Sequence, residues 1–136
     1  MMLQVLLVDD DPVVQYLHKT ILSKFNVPEQ KFFSNGELAL DYILENKDND
    51  ILFLVLLDIN MPVMNGWEFL EELKNHTIKP LVKVIIVTSS IDSSDKFKAR
   101  NYHQVFEFLE KPLQEDFICN LKCDEDLAVF LEKAIL

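Results

Sequence analysis

The sequence predicts an α/β protein built on a parallel β-sheet with helices on both faces, and two observations carry that prediction. Residues 5–8, 51–57 and 84–87 form short, almost wholly apolar runs, as strands do when helix layers cover both of their faces. Longer stretches lie between them, with apolar residues at spacings of three and four, which is helical period. Strand and helix alternate five times. A repeated β-α order implies parallel neighbours joined by right-handed crossovers.

The first strand, residues 5–8, runs directly into Asp9, Asp10 and Asp11. Pro12 suits a helix start, where its missing N–H costs nothing. From there Val14, Leu17, Ile21 and Phe25 make a stripe expected to be buried. Residues 31–33 form a short second strand suited to a sheet edge. Asn35-Gly36 then turns the chain into a second helix with Leu38, Ala39, Tyr42 and Ile43 expected on its inner side. The third strand is residues 51–57. Trp67, Leu70 and Leu73 mark a third helix that ends before Pro80. Residues 84–87 form the fourth strand, and a short polar helix is expected around 94–101. Residues 105–109, interrupted by Glu107, suit a second edge strand. The tail has apolar residues at Phe117, Ile118, Leu121, Leu127, Phe130, Leu131 and Ile135. Two arrangements fit it: one long helix, or a loop and then a helix capped near Asp124.

Bulk properties narrow the function. A chain of 136 residues suits one domain, and 49% apolar with 26% charged residues is an ordinary globular composition. The net charge of −10 argues against a nucleic-acid or anionic-membrane surface, since binding phosphate backbones needs clustered Lys and Arg. Cys119 and Cys123 are four apart with no histidine close in sequence. They are read as reduced thiols rather than a disulfide framework or zinc set. Residues 1–8 lack the charged start of a signal peptide. The longest apolar run, residues 51–57, is too short to span a bilayer. A soluble, cytoplasmic protein is expected. His18, His76 and His103 are expected to be surface or packing residues away from the acids.

The polar residues at the strand ends form a pattern. Asp9, Asp10 and Asp11 follow the first strand, Asp58 follows the third, Thr88 ends the fourth and Lys111 comes just after the fifth. In open α/β sheets ligands bind outside the carboxyl ends of the strands. Helix capping explains Asp11 before Pro12. It does not explain Asp58, which precedes a loop, nor Lys111. Crowded carboxylates take up protons unless a cation offsets them. Mg²⁺ suits such a site, because it takes oxygen ligands and keeps waters or phosphate oxygens as the rest. A carboxylate can also attack phosphorus to form an aspartyl phosphate, and phosphoryl transfer needs positioning and charge stabilisation. Lys111 can supply charge, and the Thr88 hydroxyl can bond a phosphoryl oxygen.

Four segments carry a resemblance: V-L-L-V-D-D-D-P at 5–12, L-D-I-N-M-P-V-M-N-G-W-E at 57–68, V-T-S-S at 87–90 and L-E-K-P at 109–112. In this order, from about Leu3 to Pro112, the chain resembles the receiver domain of two-component response regulators. The resemblance implies a flavodoxin-like, doubly wound five-stranded parallel sheet of order 2-1-3-4-5. One receiver domain is expected over residues 1–136, with 114–136 forming an extended C-terminal helical segment, a tail longer than a receiver usually needs. Asp58 is then the phosphoacceptor and Asp10 a direct Mg²⁺ ligand. Asp9 holds the metal mainly through water, and the Asn60 backbone carbonyl completes the protein's share alongside Asp58. Lys111, beside a cis Lys111–Pro112 bond, pairs with the phosphoryl group. Ser89 is small enough to leave it room. Asn60 and Ser90 flank the site and modulate dephosphorylation.

Thr88 and Phe108 are the switch residues by the same resemblance. Phe108 stands where a tyrosine is more usual, and two behaviours are open to it: turning inward on activation or staying in the core. The expected partners are a sensor histidine kinase or histidine phosphotransfer protein and an unidentified downstream protein. The face of the fourth helix, fifth strand and fifth helix is the candidate output and self-association surface. Mg²⁺-dependent phosphohydrolases with an aspartate nucleophile typically carry a second acid two residues later. Asn60 stands there instead, so a switch rather than a turnover enzyme is expected. Residues 98–105 lack the usual Gly-Ala before the fifth strand, which implies a reshaped connection.

Overall fold

Alternation along the strands decides which helix covers which face. The computed structural model describes residues 1–25, 27, 30–89, 92–117, 121 and 124–131. Its elements are β1 (Met2–Val8), α1 (Pro12–Leu22), β2 (Gln30–Phe33), α2 (Gly36–Glu45), β3 (Ile51–Leu57), α3 (Gly66–Lys74), β4 (Leu81–Thr88), α4 (Ser93–Ala99), β5 (Val105–Glu110) and α5 (Glu125–Leu131). All pairings are parallel and the strand order is β2-β1-β3-β4-β5. This is the flavodoxin-like order. Ser90, Cys119 and Cys123 lie outside the described residues.

Every residue of the central strand β3 is buried. Ile51, Phe53, Val55 and Leu57 face a core shared with Ala39, Leu40 and Ile43 of α2, Phe69, Leu70 and Leu73 of α3, and Ala99 of α4. Leu52, Leu54 and Leu56 face the opposite core, with Leu22 of α1 and with Leu113, Phe117, Leu121 and Leu127. The uninterrupted apolar runs thus reflect burial on two faces.

Two helix faces differ from the sequence expectation. On α1 the fully buried residues are His18 and Leu22, while Val14 and Ile21 are half-buried and Leu17 is 42% exposed. Phe25 lies beyond the helix end. The buried line follows an i, i+4 row through a polar residue, which a stripe drawn through apolar residues alone passes over. On α2, Leu38 is 48% exposed and Leu40 is buried instead. The packed face there is Gly36, Ala39, Leu40 and Ile43.

The polar interruption in β5 has a structural cause. Val84 pairs with Val105 but Ile85 pairs with Glu107, a bulge that inserts Phe106. The side-chain alternation resets there. Val105 and Phe108 pack against the α2–α4 core, and Phe106 and Leu109 against the other. Glu107 sits at the reset, half-exposed.

The connection before β5 is held by Tyr102, which is 8% exposed. Its hydroxyl donates to Glu71 Oε2 at 2.9 Å and its ring stacks on Trp67 of α3 at 6.1 Å between centroids. Lys98 lies 4.8 Å from the Trp67 ring centroid and Lys74 lies 5.4 Å from that of Tyr102. At the other end of the chain, Asp124 accepts from Asp126 N at 2.9 Å and Leu127 N at 3.1 Å. A helix capped at Asp124 is one of the two arrangements open in the sequence. Lys83 of β4 pairs with both Asp124 and Asp126 at 3.1 Å.

The chain's two glycines both sit at close approaches to the β3–α3 loop. Gly36 N donates to Met64 O at 3.0 Å, and Gly66 N donates to Ile59 O at 2.9 Å. A Cβ on Gly66 would lie 2.6 Å from Asp58 O and 2.9 Å from Ile59 Cα, both backbone atoms that cannot yield locally. Gly66→Ala is expected to destabilise the fold by about 1–3 kcal/mol, the usual range for overpacking, and to displace Asp58. Chemical denaturation and amide shifts of residues 57–60 check this.

Candidate functional site

The backbone ladders run one residue past the strands, and this fixes where the charged side chains stand. Asp58 N donates to Val8 O at 2.9 Å, Asp9 N to Phe33 O at 3.0 Å and Lys111 N to Thr88 O at 2.7 Å. Asp9 and Asp58 thereby end neighbouring strands at the point where strand order reverses, the usual ligand position of such sheets. Asp9, Asp10 and Asp58 each offer an oxygen, all within 4.8 Å of one another. Asp9 and Asp58 are each 5% exposed, whereas Asp10 is exposed. The Lys111 ammonium lies 2.6 Å from Asp9 Oδ2 and 3.2 Å from Asp58 Oδ2. The Lys111–Pro112 peptide is cis.

A cleft of about 440 Å³ opens above these groups, lined by Asp10, Asp58, Asn60, Ser89, Lys111 and the apolar Val14 and Leu17 of α1. Thr88, the last residue of β4, is 1% exposed and precedes Ser89, which lines the cleft. Asn60 is exposed, and its N–H lies 3.4 Å from Asp58 Oδ1. Three residues beyond it, Val63 has φ 70°, with Met64 N donating to Pro62 O at 2.9 Å. A β-branched residue in the left-handed region stores strain, here in the loop that follows Asp58. Asp11 is the N-cap of α1, accepting from Val13 N at 2.9 Å. Phe108 is not among the acids. It is half-buried on β5 against the α2–α4 core.

Burial and then the charge of Asp9 push the Asp58 carboxyl above its ordinary value, with Lys111 and the Asn60 amide offsetting part of the rise. Burial alone would lower the Lys111 ammonium. The hydrogen bond and charge of Asp9, followed by those of Asp58, outweigh it and hold Lys111 above its ordinary value. The donor set is hard oxygen, and its crowding calls for a cation beyond Lys111. A small divalent ion such as Mg²⁺ fits both requirements.

Two residues of α1 that the motifs do not mark brace this site. Gln15 Nε2 donates to Asp9 O at 2.7 Å and to Phe33 O at 3.1 Å. His18, expected away from the acids, lies behind them. It is 3% exposed, and its Nε2 accepts from Leu113 N at 3.4 Å. The sequence does carry a sign of His18, since it stands four from both Val14 and Leu22 on one helix row. Burial lowers its pKa from 6.5 to about 4, with Asp9 opposing and Lys111 adding to the effect. The unfolded chain therefore binds this proton more readily than the folded one. The stability is present above pH 6.5 and lost as pH falls toward about 4. Metal-free protein is expected to lose at most about 3 kcal/mol through this group. Denaturant titrations across that window should show a flatter profile for His18→Leu.

Comparison with known proteins agrees with this geometry. Residues 5–121 match the response regulator receiver domain. The chain is 29% identical over 119 residues to the 3',5'-cyclic-nucleotide phosphodiesterase regA of Dictyostelium discoideum, covering 85% of this chain and 14% of that one. It is 29% identical to Protein PilH of Pseudomonas aeruginosa, over 85% of this chain and 90% of that one. The chain spans less than half of several relatives' length, 14% for the phosphodiesterase and 35% and 46% for two others. The crystal structure of a two-component response regulator from Cytophaga hutchinsonii superposes with a TM-score of 0.76 at 28% identity, covering 96% of this chain and 97% of that one. With the ends of β1, β3 and β5 bringing the Asp9, Asp10 and Asp58 carboxylates and Lys111 together, and residues 5–121 matching its model, the chain belongs to the response regulator receiver domain family.

Proposed function

We propose that the chain is a phosphorylation-dependent signalling switch in which Asp58 accepts a phosphoryl group from a sensor histidine kinase or a histidine phosphotransfer protein. The observation that carries this reading is the joint placement of the Asp9, Asp10 and Asp58 carboxylates within 4.8 Å and the Lys111 ammonium against two of them. An Asp58 carboxylate oxygen attacks the phosphorus of a phosphohistidine. A P–O bond forms as the P–N bond breaks, and the imidazole leaves with a proton from solvent. Asp10, Asp58 and the Asn60 carbonyl, with Asp9 through water, would hold Mg²⁺, which when bound would supply positive charge to the phosphoryl oxygens. Lys111 shifts from the carboxylates to the new phosphoryl group, which adds close to two negative charges. Ser89 leaves room for it.

The Thr88 hydroxyl turns toward a phosphoryl oxygen and vacates space beside Phe108. The output is a change in the face of α4, β5 and the C-terminal segment 114–136, which binds a downstream protein or a second copy of the chain. Asn60 and Ser90 set water access and hence the lifetime of the phosphorylated state. Asn60 supplies no acid for turnover hydrolysis, which favours a switch over an enzyme. Residues 1–136 act as one receiver domain in the cytoplasm. No described helix is long and apolar enough to cross a membrane.

Incubation with acetyl phosphate and Mg²⁺ is expected to add one phosphate by intact mass, and Asp58→Ala or omission of Mg²⁺ to abolish it. Wild type left unmodified with both present contradicts the proposal. A second expectation concerns stability. Because burial and Asp9 raise the Asp58 pKa, the ionised group opposes folding above that raised value. Metal-free Asp58→Asn should therefore melt higher than wild type at neutral pH, each kcal/mol appearing as roughly 2–6 °C. Added Mg²⁺ should raise the wild-type midpoint more than the variant's, as calorimetry can show.

A further inference from the structure

The turn that carries Lys111 has two backbone donors and one residue with none. Lys111 N donates to Thr88 O of β4 at 2.7 Å. Pro112 has no N–H. Leu113 N donates to His18 Nε2 of α1 at 3.4 Å, in a buried position. The turn is thus anchored on β4 at one end and on α1 at the other. The same helix holds Asp9 in place, since Gln15, three residues before His18, donates to the carbonyls of Asp9 and Phe33. One rigid element therefore references both ends of the Lys111–Asp9 pair. An acceptor at Nε2 requires a neutral ring with its proton on Nδ1. An apolar residue at position 18 would fill the space but leave the buried Leu113 N–H without a partner.

We infer that His18 is a positioning residue for phosphoryl transfer, setting the reach of Lys111 toward Asp58 by holding the Leu113 end of its turn. The inference rests on the reading of Asp58 as the acceptor. His18 is not among the residues that line the cleft. It acts through Lys111 alone, so its loss should slow phosphoryl uptake while leaving the three carboxylates free to bind Mg²⁺ as before.

The test compares wild type, His18→Leu and His18→Gln, whose Oε1 stands where Nε2 was. Uptake from acetyl phosphate, Mg²⁺ affinity by titration and exchange of the Leu113 amide are measured on each. His18→Leu is expected to slow uptake about three- to tenfold, the worth of one neutral hydrogen bond, to speed Leu113 exchange and to leave the Mg²⁺ Kd unchanged. His18→Gln should restore both the rate and the protection. Wild-type uptake and exchange in His18→Leu overturn the inference, as does a parallel loss of Mg²⁺ affinity that His18→Gln does not repair. If His18→Leu does not fold, long-range ¹H–¹⁵N spectra of wild type decide. A proton on Nδ1 supports the inference and a proton on Nε2 overturns it. If wild type takes up no phosphate, the switch reading fails, and Leu113 exchange with the tautomer still decides whether His18 holds the turn.

Discussion

The ammonium of Lys111 held between two buried carboxylates is the constraint to which the rest of the structure answers. Asp9 and Asp58 are each 5% exposed and end adjacent strands, so their charges cannot be dispersed into solvent. A buried charge is tolerable only when paired with good geometry. That geometry requires β1, β3, β4 and β5 to end in register, which the backbone bonds beyond the strand ends secure. It also requires a stiff sheet beneath, and β3, buried on both faces, provides it. The pairing is incomplete, because three carboxylates face one lysine. That imbalance leaves room in the charge balance for a further cation.

Much of this was legible in the amino-acid order, and for a physical reason. Strands covered on both faces must be continuously apolar, so residues 51–57 announce a central parallel strand without reference to partners. Asp9, Asp58 and Thr88 stand out because each directly follows or ends such a run, and Asp10 and Lys111 because each stands with one residue between it and a predicted strand end. Other features depend on what packs across from them. Leu17 and Leu38 look like core residues yet stand 42% and 48% exposed, because their helices are rolled toward His18 and Leu40. The bulge at Phe106 shows only in how β5 pairs with Val84 and Ile85. Gln15 and His18 carry polar groups on a helix face that an apolar count discounts, although their partners are backbone atoms of the site's own loops.

These polar residues give α1 a second role beside covering the sheet. Its amino end is capped by Asp11, its first turns reach Asp9 through Gln15, and its middle reaches Leu113 through His18. Its exposed side leaves Val13, Tyr16 and Leu17 in solvent, with Leu17 lining the cleft. The helix is both the floor brace of the charged site and one wall of its entrance.

The stacked pair of Trp67 and Tyr102 has a practical consequence. The chain has one tryptophan, and it stands on α3 against a tyrosine of the α4–β5 connection, with the Lys98 ammonium 4.8 Å from its ring centroid. The indole thus bridges the helix that follows the Asp58 loop and the segment that leads into Phe108. Any sliding of one against the other changes the ring overlap and the position of the cation. The molecule therefore contains its own optical gauge, and its emission reads that movement without a label or an added partner.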